Sequence, residues 1–73
     1  MSAEQTVVAP FAGTVIAIAH QPDEPVVPGT ALIVLEAMKM EMTLTSPITG
    51  VVKEVYAHPR DRVEGGDLLI VFQ

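Results

Sequence analysis

The chain is written twice. Residues 9–36, APFAGTVIAIAHQPDEPVVPGTALIVLE, align with residues 46–73, SPITGVVKEVYAHPRDRVEGGDLLIVFQ, at a constant offset of 37 and without a gap. Pro10 meets Pro47, Gly13 meets Gly50, Val15 meets Val52 and Pro22 meets Pro59. Val26 meets Val63, Gly29 meets Gly66, and Leu32-Ile33-Val34 meets Leu69-Ile70-Val71. One register held across turns and apolar runs alike is not what chance similarity between β-rich segments gives. Two copies are too few for a solenoid, which needs about three repeats to bury a continuous core. They call instead for a closed object with a quasi two-fold axis.

Each copy carries the same punctuation. A proline opens it, as suits the first residue of a strand or an edge, and Gly13 or Gly50 follows at an expected turn or bulge. Next come the strands TVIAIAH and VVKEVYA. Their inward pairs, Val15/Ile18 and Val52/Val55, lie three apart, which breaks period-2 alternation and predicts a bulge or sharp bend. A polar turn containing Pro22 or Pro59 leads to Val26 or Val63. The following Pro28-Gly29 and Gly65-Gly66 match type II turns, with glycine at the third position. The last strand of each copy is ALIVLE or LLIVF. No amphipathic helix is convincing. The pattern predicts an all-β fold, a flattened antiparallel barrel or sandwich with a quasi two-fold repeat, in which closure deals with exposed edges.

Size sets a further limit. Seventy-three residues without cysteine make one domain over 1–73 that must be held by packing alone. Below roughly 70–80 residues a single core supplies about 3–5 kcal/mol of net stability. With two Phe, one Tyr and no Trp, that core falls to Val, Ile, Leu and Ala. The net charge of −5 and four scattered basic residues argue against a nucleic-acid partner. The longest apolar stretch, Val7 to Ala19, is interrupted by Pro10, Gly13 and Thr14 and is too short to span a membrane. MSAEQ lacks the positive start of a signal peptide. The expectation is a soluble intracellular protein with no targeting segment and no membrane partner.

One segment lies outside the repeat. LEAMKMEM, residues 35–42, joins the two copies and is made of good helix formers. A helix so short is marginal, and Met40 to Leu44 alternates apolar and polar as a strand does. A hairpin with its tip near Ala37-Met38-Lys39 fits better. Tight hairpins favour Asn-Gly or Asp-Gly, and this one has neither. A broken local rule often marks a functional site. Lys39, one of only two lysines, would be a presented amine between two methionines, residues suited to adaptable binding surfaces.

At this point the sequence resembles a known family. Glu36-Ala37-Met38-Lys39-Met40-Glu41 looks like the attachment motif of biotinyl domains, the carriers of biotin-dependent carboxylases. The resemblance covers roughly residues 8–73, including Pro10, Gly13, the Val26-to-Gly29 spacing and their second-copy counterparts. It implies a flattened barrel of two four-stranded sheets with the modified lysine on a hairpin tip. Some relatives insert a thumb before the Val-x-x-Gly turn. The equal Gly13–Gly29 and Gly50–Gly66 spacings leave no room for one, so a thumbless domain is expected. Asp23-Glu24 stands where the family often has Gly-Asp, whereas Asp61 fits.

The resemblance implies that a biotin protein ligase joins biotin to Lys39 through an amide, with Glu36, Ala37, Met38 and Met40 flanking the site. No base beyond Glu36 and Glu41 lies in the motif, so the ligase is expected to arrange deprotonation of the amine. The carrier then acts as a swinging arm. It carries carboxybiotin from a biotin carboxylase, which carboxylates the ureido nitrogen, to a carboxyltransferase. Tethering raises the local concentration of the cofactor at both sites. The chain itself is not an enzyme, and its place is the cytoplasm, or an organelle matrix within a larger carboxylase.

Plainer readings stand beside these. An isolated lysine is by default a solvated surface residue, and Lys53, inside VVKEVYA, is expected to be one and to stay unmodified. Met40 could be a core residue if a strand begins there. A glutamate pair without His, Ser or metal is a poor acid–base constellation. His20 and His58 have no reason to converge, so no metal is expected. A lipoyl carrier shares the fold but usually shows Asp-Lys-Ala at the tip. An unmodified structural adaptor is the third alternative.

Overall fold

A computed structural model describes residues 5–73; Met1–Glu4, part of the stretch read as lacking a leader, lie outside the described residues. The described residues form eight strands and no helix: β1 Thr6–Val8, β2 Gly13–Ile18, β3 Pro25–Val26, β4 Ala31–Ala37, β5 Met40–Thr45, β6 Gly50–Val55, β7 Arg62–Val63 and β8 Leu68–Phe72. They make two antiparallel four-stranded sheets, ordered β1-β8-β6-β3 and β5-β4-β2-β7. Each sheet borrows its short edge strand from the other copy, β3 against β6 and β7 against β2.

The repeat is obeyed pair by pair. Val15 faces Leu35 and Ile18 faces Ile33 across β2/β4, as Val52 faces Phe72 and Val55 faces Ile70 across β6/β8. The bulge implied by the three-residue spacing is present in both copies, between Val15 and Ala17 and between Val52 and Glu54. It lets residues three apart serve one core: Val15 and Val52 are buried, and Ile18 and Val55 pack against them partly buried. The strands end sooner than expected, β2 at Ile18 rather than His20 and β6 at Val55 rather than Ala57. One more bond continues each ladder, Ala19 N–H to the Leu32 carbonyl and Tyr56 N–H to the Leu69 carbonyl, both 2.8 Å.

Inward residues of both sheets meet in one aliphatic core: Leu32, Ile33, Leu35, Leu69, Ile70 and Phe72 are its largest members. The sole buried polar residue among those described, Ser46, stands where the first copy has Ala9; its Oγ donates to the Ile48 carbonyl and accepts from the Ile48 N–H. The ladders run within each sheet, and two of the four edges are kept short, β3 and β7 with two residues each and Pro25 in β3, whereas β5 is a six-residue edge.

Four turns share one design. In Val27-Pro28-Gly29-Thr30 and Glu64-Gly65-Gly66-Asp67 the third residue has a positive φ, 91° and 92°, as type II geometry requires. In Gln21-Pro22-Asp23-Glu24 and His58-Pro59-Arg60-Asp61 the same position is held by Asp23 (φ 73°) and Arg60 (φ 78°). In all four, the side-chain oxygen of the fourth residue accepts the N–H of the first: Thr30, Asp67, Glu24 and Asp61. Glu24 therefore does in the first copy what Asp61 does in the second, and the departure at Asp23-Glu24 leaves the turn unchanged.

Gly13 is at neither a turn nor a bulge, contrary to expectation; it is the first residue of β2, and the bulge comes after Val15. A methyl group there would lie 2.7 Å from the Glu36 carbonyl oxygen, which belongs to a strand and cannot yield. At Gly50 the nearest atom is the mobile Cδ1 of Ile48, at 3.3 Å. Gly13→Ala is expected to cost about 1–3 kcal/mol by forcing β2 from β4, whereas Gly50→Ala stays within about 1 kcal/mol of the parent. Urea unfolding of the two variants tests this; equal midpoints would refute it.

Candidate functional site: the β4–β5 hairpin

The repeat is broken at one place. Pairing of β4 with β5 runs on through Leu35/Met42, Glu36/Glu41 and Ala37/Met40 to a two-residue tip, Met38-Lys39. In the second copy the counterpart of Leu35/Met42 is the bond from Phe72 N–H to the Gln5 carbonyl, 3.0 Å. Helix propensity in LEAMKMEM lost to the ladder, because β4 is anchored by the buried Leu32, Ile33 and Leu35. Ala37, placed at the tip by its sequence, belongs to β4.

The tip is a strained turn. Met38 has φ 52° and Lys39 φ 66°, so both central residues are left-handed, the type I′ requirement that normally selects Asn-Gly. Each such non-glycine residue costs about 1–2 kcal/mol. The strain is held by five consecutive cross-strand pairs, from Ile33/Leu44 to Ala37/Met40. It fixes the direction of the Lys39 Cα–Cβ bond, which a floppy loop would not. Met38→Asn is expected to raise stability by about 0.5–1 kcal/mol, since Asn tolerates this conformation better. A urea midpoint that falls would show that Met38 is not strained.

The tip's side chains are outside the fold. Lys39 is exposed, Met38 is 94% exposed and Met40 71%, so Met40 is not the core residue that was one of its two readings, although β5 does begin there. Met40 lies on the inward face of its sheet but beyond the end of the opposite one, so nothing covers it. Met42, opposite the buried Leu35, is 39% exposed and marks where cover ends. Lys53 lies on β6, in strand as expected.

A row of side chains crosses the sheet at this level. On the outward face, Arg62 of β7, Thr14 of β2, Glu36 of β4 and Glu41 of β5 stand in register. Glu36 and Glu41 oppose each other directly, and like charges so placed are destabilising. Neither is arranged with a metal: among the described residues no three His, Cys, Asp or Glu side chains converge. Beside the hairpin runs an open groove whose walls include Phe11, Thr14, Met40, Met42 and Arg62. Glu36, Ala37, Met38 and Met40 are thus brought together around Lys39, as their spacing in sequence already required. Phe11 and Arg62 were not singled out by sequence. Only the pairing of β7 with β2 brings Arg62 here. No helix among the described residues is long and apolar enough to cross a membrane.

An all-strand sandwich with an internal two-fold, presenting a lysine on a strained two-residue hairpin, defines a class of carrier-like modules. Residues 23–72 match the family model described as biotin-requiring enzyme, and the chain belongs to that family. It is 41% identical over 61 residues to the human mitochondrial propionyl-CoA carboxylase alpha chain, covering 84% of this chain and 8% of that protein. Among solved structures, a single-chain, multi-domain long-chain acyl-CoA carboxylase superposes with TM-score 0.87 at 37% identity, over 96% of this chain and 7% of that one. The lipoyl domain of the 2-oxoglutarate dehydrogenase complex from Azotobacter vinelandii superposes with TM-score 0.78 at 23% identity, over 99% of this chain and 96% of that one, which is likeness of fold. The chain therefore spans under a tenth of the carboxylases it matches.

Proposed function

We propose that this chain is a single thumbless biotinyl domain over residues 1–73, with Lys39 the residue acylated by a biotin protein ligase. The observation that carries the reading is the presentation of Lys39 at a rigid tip between two methionines that are 94% and 71% exposed. These residues fit the cofactor. The amine stands clear of the fold for amide formation, and no element packs over it. Biotin, once bound, supplies a ureido nitrogen able to take up CO2. The chain's own residues bind and position. The ladder of β4 and β5 holds the stem of the arm, Met38 and Met40 offer apolar contact to a partner, and Glu36 and Glu41 offer it charge.

The domain passes between a biotin carboxylase and a carboxyltransferase and does no chemistry itself. A soluble compartment, cytoplasm or organelle matrix, suits it. Its relatives' names support this role, and the fold supports it equally for a lipoyl carrier. Met38-Lys39-Met40 in place of Asp-Lys-Ala favours biotin. Two parallel incubations decide between them: biotin, ATP and a biotin protein ligase, or lipoate, ATP and a lipoate ligase, each read by intact mass. A gain of one biotin less water is expected in the first and no gain in the second. The reverse result assigns a lipoyl carrier. No gain in either, with both ligases active on control carriers, leaves an unmodified adaptor.

A further inference from the structure

The described residues contain no cysteine and no core methionine. Their only sulfur is in Met38, Met40 and Met42, within five residues of one hairpin. Every large core position is Leu, Ile, Val or Phe. Exposure falls in order along the hairpin, 94%, 71% and 39%. Thioether oxidation follows access, and it turns a flexible apolar side chain into a polar, chiral sulfoxide. In most proteins such a change damages the core. Here it cannot reach the core, because no core residue is oxidisable in this way.

We propose that Met38 and Met40 form an oxidation-sensitive collar that controls recognition of Lys39 while the fold stays intact. A peroxide delivers one oxygen atom to each sulfur, the S–O bond forming as the O–O bond breaks, and water leaves. The two sulfoxides then stand one on each side of Lys39, at the apolar surface a ligase must cover to reach the amine. A partner site shaped for thioethers must desolvate both S–O groups, which lowers the acylation rate by about tenfold or more. Methionine sulfoxide reductases, one for each epimer, reverse the change at the expense of a dithiol reductant: the dithiol supplies two electrons and two protons and becomes a disulfide, and the oxygen leaves as water. The second half of this inference rests on the biotinyl reading; the first half does not.

The test starts with hydrogen peroxide titrated onto the unmodified domain, with peptide mapping, thermal unfolding and ligase-dependent biotin incorporation read on the same samples. Oxygen is expected first on Met38 and Met40 and later on Met42. Tm should be unchanged, and incorporation should fall about tenfold and recover after treatment with the two reductases. A Met38→Leu/Met40→Leu variant, whatever its starting rate, should incorporate biotin equally before and after peroxide. Undiminished incorporation in the doubly oxidised domain overturns the switch. A lowered Tm, or oxidation of Met42 first, overturns the claim that the fold is insulated. If the untreated domain takes up no biotin, the biotinyl reading and the switch fall together, and mapping and Tm still judge the insulated collar.

Discussion

Lys39→Arg is expected to abolish biotin incorporation and leave the fold unchanged. Arg keeps the positive charge and nearly the reach of Lys, but its guanidinium does not lose a proton in proteins and cannot serve as the nucleophile. Position 39 is exposed, so no packing is lost. Its φ of 66° disfavours both residues alike, so turn strain is unaltered. The effect on stability should stay within about 0.5 kcal/mol, as for surface substitutions generally. Lys53→Arg, on β6, provides the comparison and is expected to incorporate one biotin as the parent does. Intact mass after incubation with ligase reads both variants, and urea unfolding reads their folds. Incorporation into Lys39→Arg at the parent's level would move the site elsewhere in the chain and remove the basis for the proposed function.

Leu35→Ala is expected to leave the domain largely unfolded. Leu35 is fully buried on β4, between Val15 of β2 and Met42 of β5, three residues before the strained tip. Removing a buried leucine's side chain down to Cβ costs about 2–5 kcal/mol, the higher values where the walls cannot collapse. A sheet sandwich has such walls, because its backbone is fixed by ladders on both sides. The loss is comparable with the whole net stability of a domain this size, about 3–5 kcal/mol. Ile16→Ala, on the adjacent strand but 40% exposed, should cost about 1 kcal/mol or less. Thermal unfolding by circular dichroism compares the two. A cooperative transition in Leu35→Ala close to the parent's would mean that the aliphatic core is not what holds the hairpin's base.

Much of the fold was legible because the sequence states it twice. The bulge after Val15 and Val52 could be read from spacing alone, since two inward residues three apart cannot both be satisfied by a regular strand. The Gly29 and Gly66 turns could be read because only glycine takes that φ without strain. The hairpin could be read because Lys39 falls at the joint of the copies. The resemblance to biotinyl domains named its chemistry.

Less was legible where a residue's role depends on what comes near it. Gly13 looked like a turn or bulge residue; its reason is the Glu36 carbonyl, which another strand brings close. Asp23 and Arg60 gave no sign of positive φ, because their turns are fixed by Pro before them and by a side-chain cap after them. Met40 kept a minority core reading beside the surface one, because a strand begins there. Alternation sets the face of a sheet but not whether a second sheet extends far enough to cover it.

The sequence by itself determined the two-fold plan, the bulges, the glycine turns and the place of Lys39, all of which follow from local spacing and chain symmetry. Only the tertiary structure decided that Met38 and Lys39 would be held left-handed, that Glu36 would face Glu41, that Arg62 would join their row and that the methionines would stand outside the core. Each of these depends on cross-strand pairing and on where one sheet ends over the other. Those are relations between residues distant in the chain, and no local preference encodes them.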